Sequence, residues 1–134
     1  MVKKIIQIDS NETSLYNNIL LLSRNKIFYT KFGLSDTFQN RIHLIFIHAS
    51  FLIIKSKKIN QNVEFKDFYQ KFFDLIFNKI ELNMREIGYG DVSVNKNMKF
   101  LIKVFYSILS NCEDFTKKSL ILKNTFLFKF LERN

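Results

Sequence analysis

Between Phe38 and Ile54 the chain is apolar nearly all the way round a helix. Phe38, Ile42, Ile45, Phe46, Ala49, Leu52 and Ile53 recur at helical spacing on one face. Leu44, Ile47, Phe51 and Ile54 cover much of the remainder. A helix of this kind is stable only when other elements surround it. The segment therefore predicts a central helix in a layered helical domain. At 13 residues (Ile42–Ile54), its longest uncharged run falls short of the roughly 20 needed to span a bilayer.

The flanking segments supply the surrounding layers. Leu15, Tyr16, Ile19, Leu22 and Ser23 mark a helix over 12–25, preceded by a short extended tail, Met1 to Ser10. Asp9, Ser10 or Asn11 can cap it, and Asp9 with Glu12 has capping-box spacing. The connection from Lys26 to Leu34 carries Phe28, Tyr29 and Phe32, expected to be pinned into the core, and closes at Gly33. Ser35 or Asp36 caps the central helix, again with box spacing to Gln39. After a polar break, Asn62 caps a third helix with the stripe Phe65, Phe68, Phe72, Ile76 and Ile80. Met98, Leu101, Ile102, Phe105, Ile108, Leu109 and Cys112 form the fourth stripe. Asp114 starts a last helix whose end, Thr125 to Leu131, is too apolar for a solvated terminus; it docks into the core, forms an oligomer contact or touches a membrane surface, with docking the expectation. Proline is absent, so nothing interrupts these periods. The fold class is all-α: a single compact bundle-like domain, residues 1–134, of about five helices.

Charge and cysteine content narrow the function. The net charge of +9 favours an anionic partner such as nucleic acid, a ribosome or a membrane surface. Lys96, Lys99 and Lys103 gather on one side of the fourth helix, as a solvated face or a phosphate or lipid contact. Cys112 is alone, which excludes an internal disulfide and a Cys-rich metal site. His43 and His48 are five apart, off the usual one-face spacing of three or four for ligands, so no metal or other cofactor is expected. Arg41 and His48 share a face two turns apart, either as satisfied structural groups or as a polar patch in a groove. Asp36, His48, Glu86 and Asp91 are acid–base groups with no nucleophile motif beside them, so an enzyme is not expected.

The connection between the third and fourth stripes, Arg85-Glu86-Ile87-Gly88-Tyr89-Gly90-Asp91, holds two of the chain's three glycines. It lacks the third glycine of a dinucleotide loop and follows a helix, not a strand. Gly88 is read as a helix C-cap in the left-handed region, Gly90 as the completion of the turn, and Asp91 or Ser93 as the next N-cap. Arg41, Arg85, Glu86 and Asp91 are read as an ionic network fixing this loop against the central helix.

The order of short motifs is informative. Leu15-Tyr16, Ser23-Arg24-Asn25, Phe28-Tyr29 and Gly33-Leu34-Ser35-Asp36-Thr37 are followed by Arg41-Ile42, His48, the glycine loop, Val94, Lys96, Met98, Lys99 and Phe105-Tyr106. This resembles the ubiquinol–cytochrome c chaperone family, assembly factors for the cytochrome bc1 complex, over about residues 15 to 112, with the last helix outside. The resemblance implies an all-helical, non-enzymatic protein that binds newly made cytochrome b. It implies a place near the ribosomal tunnel exit and a small partner protein. It points to Phe28, Tyr29, Asp36, Arg41, His48, Arg85, Glu86, Gly88, Gly90 and Asp91 as client-binding or motif residues. The sequence opens without a transit peptide or the long extension of mitochondrial members. The expected setting is the cytoplasm of a bacterium, peripheral to the inner membrane. An RNA- or ribosome-binding helical module using the Lys96, Lys99 and Lys103 face is the alternative.

Overall fold

The computed structural model describes residues 2–59 and 63–133, with side chains from Asn11 onward. Its axis is α3, Phe38–Ile59. Around it stand α1 (Val2–Ser23), α4 (Val63–Ile87) and α5 (Asp91–Cys112), each packed against α3. A single turn, α2 (Ile27–Thr30), lies between α1 and α3, and α6 (Leu120–Phe130) follows a 3-10 turn at Phe115–Lys117. The all-helical expectation holds, and α3 is the buried element: Ile42 through Ile47, then Ala49, Ser50 and Ile53, are buried.

At the crossing of α3, α4 and α5 the core is aromatic. Phe46 and Phe105 are fully buried, with ring centroids 5.3 Å apart and nearly perpendicular. Phe77 meets Phe46 at 5.5 Å with tilted rings and Phe105 at 5.8 Å edge-on. Edge-on pairs of this kind add about 0.5–1.5 kcal/mol each beyond the area they bury. The stripes of α4 and α5 were placed correctly: Phe72, Ile76, Ile80, Leu101, Phe105, Ile108 and Cys112 are all buried.

Several boundaries differ from expectation for identifiable reasons. α1 begins at Val2, where a tail was expected, so Asp9 and Ser10 lie within the helix and are not its caps. Nothing among these residues breaks a helix, since neither proline nor glycine occurs before Gly33. Leu22 faces solvent, while Tyr16, Ile19 and Ser23 are buried. The cap of α3 is Thr37, whose Oγ1 accepts from the Asn40 amide at 3.1 Å. Asp36 is drawn instead to Arg41. Asn62, expected to cap α4, lies outside the described residues. α6 starts at Leu120 and not after Asp114, because Ser119 supplies the cap, accepting from the Leu122 amide at 3.3 Å. Gly90, in extended backbone, is the N-cap of α5, and Asp91 is already its first helical residue.

Burying α3 on every side creates a problem at its polar positions. Asn40 is 1% exposed. Its Nδ2 donates to the carbonyls of Ser35 at 2.7 Å and Glu132 at 2.8 Å, and its Oδ1 accepts from the Glu132 amide at 2.9 Å. The side chain thus pairs with the Glu132 backbone as a second peptide would. Around it, the Ser35 amide donates to the Glu132 carbonyl at 3.0 Å, and Leu34 bridges Arg133 in antiparallel fashion. The end of the chain is fastened to the entry of α3. Asn40→Ala removes three hydrogen bonds to backbone, although the Glu132 carbonyl keeps the Ser35 amide as a donor. A buried polar group that loses its partner costs about 1–3 kcal/mol, so urea denaturation should show a total loss of about 2 kcal/mol or more.

Candidate functional site

The fastening of the C-terminal residues builds a cleft. Its walls are α2 with the following turn, the middle of α3, and α6, and it encloses about 410 Å³. Phe28, Phe32 and Leu34 come from the first wall, Leu44, Ile47, His48 and Phe51 from α3, and Leu127, Phe128 and Leu131 from the third. Lys31, Asn124 and Arg133 form a polar rim. Phe28 and Phe32 are therefore not core residues. No residue of α2 is buried, and Phe32 is 47% and Phe128 57% exposed at the mouth.

Backbone geometry sets this shape. Gly33 turns the chain at φ +72°, a conformation side chains disfavour, and a Cβ there would face the Arg133 guanidinium at 3.9 Å. Arg133 Nε donates to the Phe32 carbonyl at 3.0 Å, and its guanidinium lies 5.7 Å from the Phe128 ring centre. His48 sits at the inner edge, its ring edge-on to Phe28 at 5.8 Å. Its Nδ1 lies 2.7 Å from the Leu44 carbonyl, which can only accept, so Nδ1 carries the proton; Ser23 Oγ is 3.3 Å away.

The polar residues named from the sequence fall in two further places. Arg41 grips Asp36 with a fork, Nε to Oδ1 at 2.7 Å and Nη2 to Oδ2 at 3.0 Å. That hydrogen bond holds the Asp36 carboxyl below its usual range and raises the Arg41 guanidinium further. Tyr29 joins them. Burial first, then the Asp36 charge, lifts its phenol, while Arg41 opposes both. At the α4–α5 turn, Arg85 reaches Asp91 at 2.5 Å and Glu81 at 3.5 Å. The four residues read as one network thus do not form one: Arg85 pairs with Asp91, Arg41 pairs with Asp36, and Glu86 joins neither pair. Arg41 and Glu86 do line a common, smaller cleft of about 230 Å³ with Arg24 and Asn83. None of Arg85, Glu86, Gly88, Gly90 and Asp91 lines the apolar cleft.

Gly88 takes φ +109°. It closes α4 by donating to the Arg85 carbonyl at 3.1 Å, while Tyr89 donates to that of Met84 at 3.0 Å. This is the paired pattern of a Schellman ending. Gly90 has no such requirement, and a Cβ there meets open space.

His43 was weighed in the sequence only as a ligand, paired with His48, and its structural role was not foreseen. It is 3% exposed, and its Nδ1 donates to the Phe130 carbonyl at 2.6 Å. Its Nε2 is buried with no partner. Burial lowers its pKa from the ordinary 6.5, opposed by the Phe130 carbonyl and the Glu132 charge. Asn40 was missed as well. Both could have been flagged as polar positions inside an otherwise apolar helix. Phe51, Leu127 and Phe128, which complete the cleft, carry no motif. Among the described residues, no group of three His, Cys, Asp or Glu could hold a metal ion, and no helix is long and apolar enough to cross a membrane.

Comparison with known proteins gives two positive findings. The family model described as ubiquinol-cytochrome C chaperone matches residues 30–134. The match takes in α6, outside the motif-based resemblance, and begins after α1. The crystal structure of the Cbp3 homolog from Brucella abortus superposes with a TM-score of 0.72 at 24% identity, covering 98% of this chain and 75% of that one. It shares the fold. No curated protein matches the chain.

Two outcomes follow from this geometry. Gly88→Ala should cost about 1–2 kcal/mol in chemical denaturation through backbone strain, while Gly90→Ala, unstrained but a poorer N-cap, should cost less, about 0.5 kcal/mol. Because His43 binds its proton less readily folded than unfolded, its contribution to stability is complete above pH 6.5 and lost as pH falls toward its folded pKa. Thermal melts between pH 7 and 5 should show this decline, and it should flatten in His43→Phe.

Proposed function

We propose a function that starts from kinship: the chain belongs to the ubiquinol–cytochrome c chaperone family, and its work is to hold newly made cytochrome b before assembly into the cytochrome bc1 complex. The supporting observation is the apolar cleft between α2, α3 and α6. Its mouth displays Phe32, Phe51 and Phe128, each more than one third exposed. A membrane segment outside its bilayer needs its apolar side chains covered, and an aromatic groove covers one helical face at spacings of three and four residues. An open groove with a polar rim lets such a client enter and leave. Nothing in this role needs bond-making, so the protein acts by binding alone. It works at the cytoplasmic side of the inner membrane, without spanning it.

Photo-crosslinking in cells tests the reading. A crosslinking residue at Phe32 or Phe128 should capture cytochrome b, and one at the exposed Leu82 on α4 should not. Phe128→Asp should reduce capture at Phe32 about tenfold, the effect of removing one buried apolar anchor. Arg85→Ala, at the distant turn, should leave it unchanged. Capture of other proteins only would overturn the client. Equal capture at Leu82, or loss in Arg85→Ala alone, would overturn the cleft.

A further inference from the structure

On the side of α5 away from its core stripe lie two shallow depressions that share Phe100 and Lys103. The first, along α5, also has Val92, Lys96 and Lys99. The second, about 330 Å³, lies where α5 meets the end of α6, and Lys129 and His43 line it. The joined face carries four lysines and no Asp or Glu. Asp91, the one acid on α5, is paired with Arg85. Among the lysines stand two exposed apolar residues, Val92 at 84% and Phe100 at 59%. His43 lines the second depression, with its Nε2 buried and without a partner.

We propose that this face docks on an anionic phospholipid surface, with a headgroup phosphate held between Lys103 and Lys129 above His43. Each part of the face has a counterpart there. The lysines meet phosphates while their stems lie along apolar neighbours. Phe100 and Val92 enter the boundary between headgroups and acyl chains. Glu132 acts on the His43 ring through its charge without lining the depression. A nucleic-acid face is favoured less. It has no arginine for bidentate phosphate contacts, and Val92 offers nothing to a base or a phosphate. The proposal stands apart from the client reading, since the apolar cleft shares no residue with this face.

Vesicle co-sedimentation of the whole chain decides it. Vesicles of phosphatidylglycerol and phosphatidylcholine should bind the protein, and vesicles of phosphatidylcholine alone should not. The double substitution Lys103→Gln with Lys129→Gln should lower partitioning about 25-fold, roughly fivefold for each lysine. Phe100→Ser should lower it at least about fivefold. Lys57→Gln with Lys58→Gln, on α3, should leave it within about twofold. Thermal melts confirm that these surface variants fold. Equal binding to both vesicle types, or no effect of the Lys103 and Lys129 pair, would overturn the proposal. Binding of a labelled single-stranded RNA that is lost in the double variant, with no vesicle binding, would assign the face to nucleic acid instead. Glycerol phosphate binding as tightly as vesicles would reduce the face to a site for free anions.

Discussion

The structure depends on a debt created by burying α3. A helix satisfies its own backbone, so it can be surrounded without penalty, but the polar side chains it carries inward cannot look to water. Asn40 and His43 are such side chains, and both are answered from one place, the backbone of residues 130–132. The apolar packing of Phe126 and Phe130 brings that backbone near, and the hydrogen bonds fix its register. Hydrophobic burial alone would let α6 slide along the bundle. The two polar contacts allow one position.

That position gives the molecule its apolar cleft. With α6 seated, Leu127, Phe128 and Leu131 face Phe28, Phe32 and Phe51 across open space. The aromatics of the first wall are held by a turn that needs Gly33 and by Arg133, which bonds to the backbone of one wall and lies over a ring of the other. Exposed phenylalanine is costly unless something covers it, and here it is displayed by rigid elements instead of collapsing inward. The glycine-bearing turn between α4 and α5 has a different purpose: it ends one helix and reverses the chain into the next. Its charged residues pair with one another locally.

Much of this could be read from residue spacing. The stripes on α4 and α5 show because one face meets the core and the other meets water, and α3 shows because from Ile42 to Ser50 almost none of it meets water. Caps were less legible, since Ser35, Asp36 and Thr37 compete for one position and the choice turns on Arg41, a residue within the helix that claims Asp36. Phe28, Tyr29 and Phe32 were expected in the core, because composition reports that aromatics will be sheltered but not whether by core or by cleft. Asn40 and His43 were visible as anomalies, yet their partners lie 92 and 87 positions away. No local pattern encodes such a pairing. The family motifs reached the turn residues and missed the third wall of the cleft.

The bond between Asn40 and Glu132 spans 92 positions of a 134-residue sequence. Contacts that far apart along a chain form after local ones, because the loop must be closed before the contact repays it. The aromatic crossing of α3, α4 and α5 joins neighbouring helices and can assemble first. The groove is then the last part to appear during folding and the first to open when the native state breathes. Its occupancy sets its lifetime: a bound segment stabilises the seated form of α6, and an empty groove leaves that helix freer to lift.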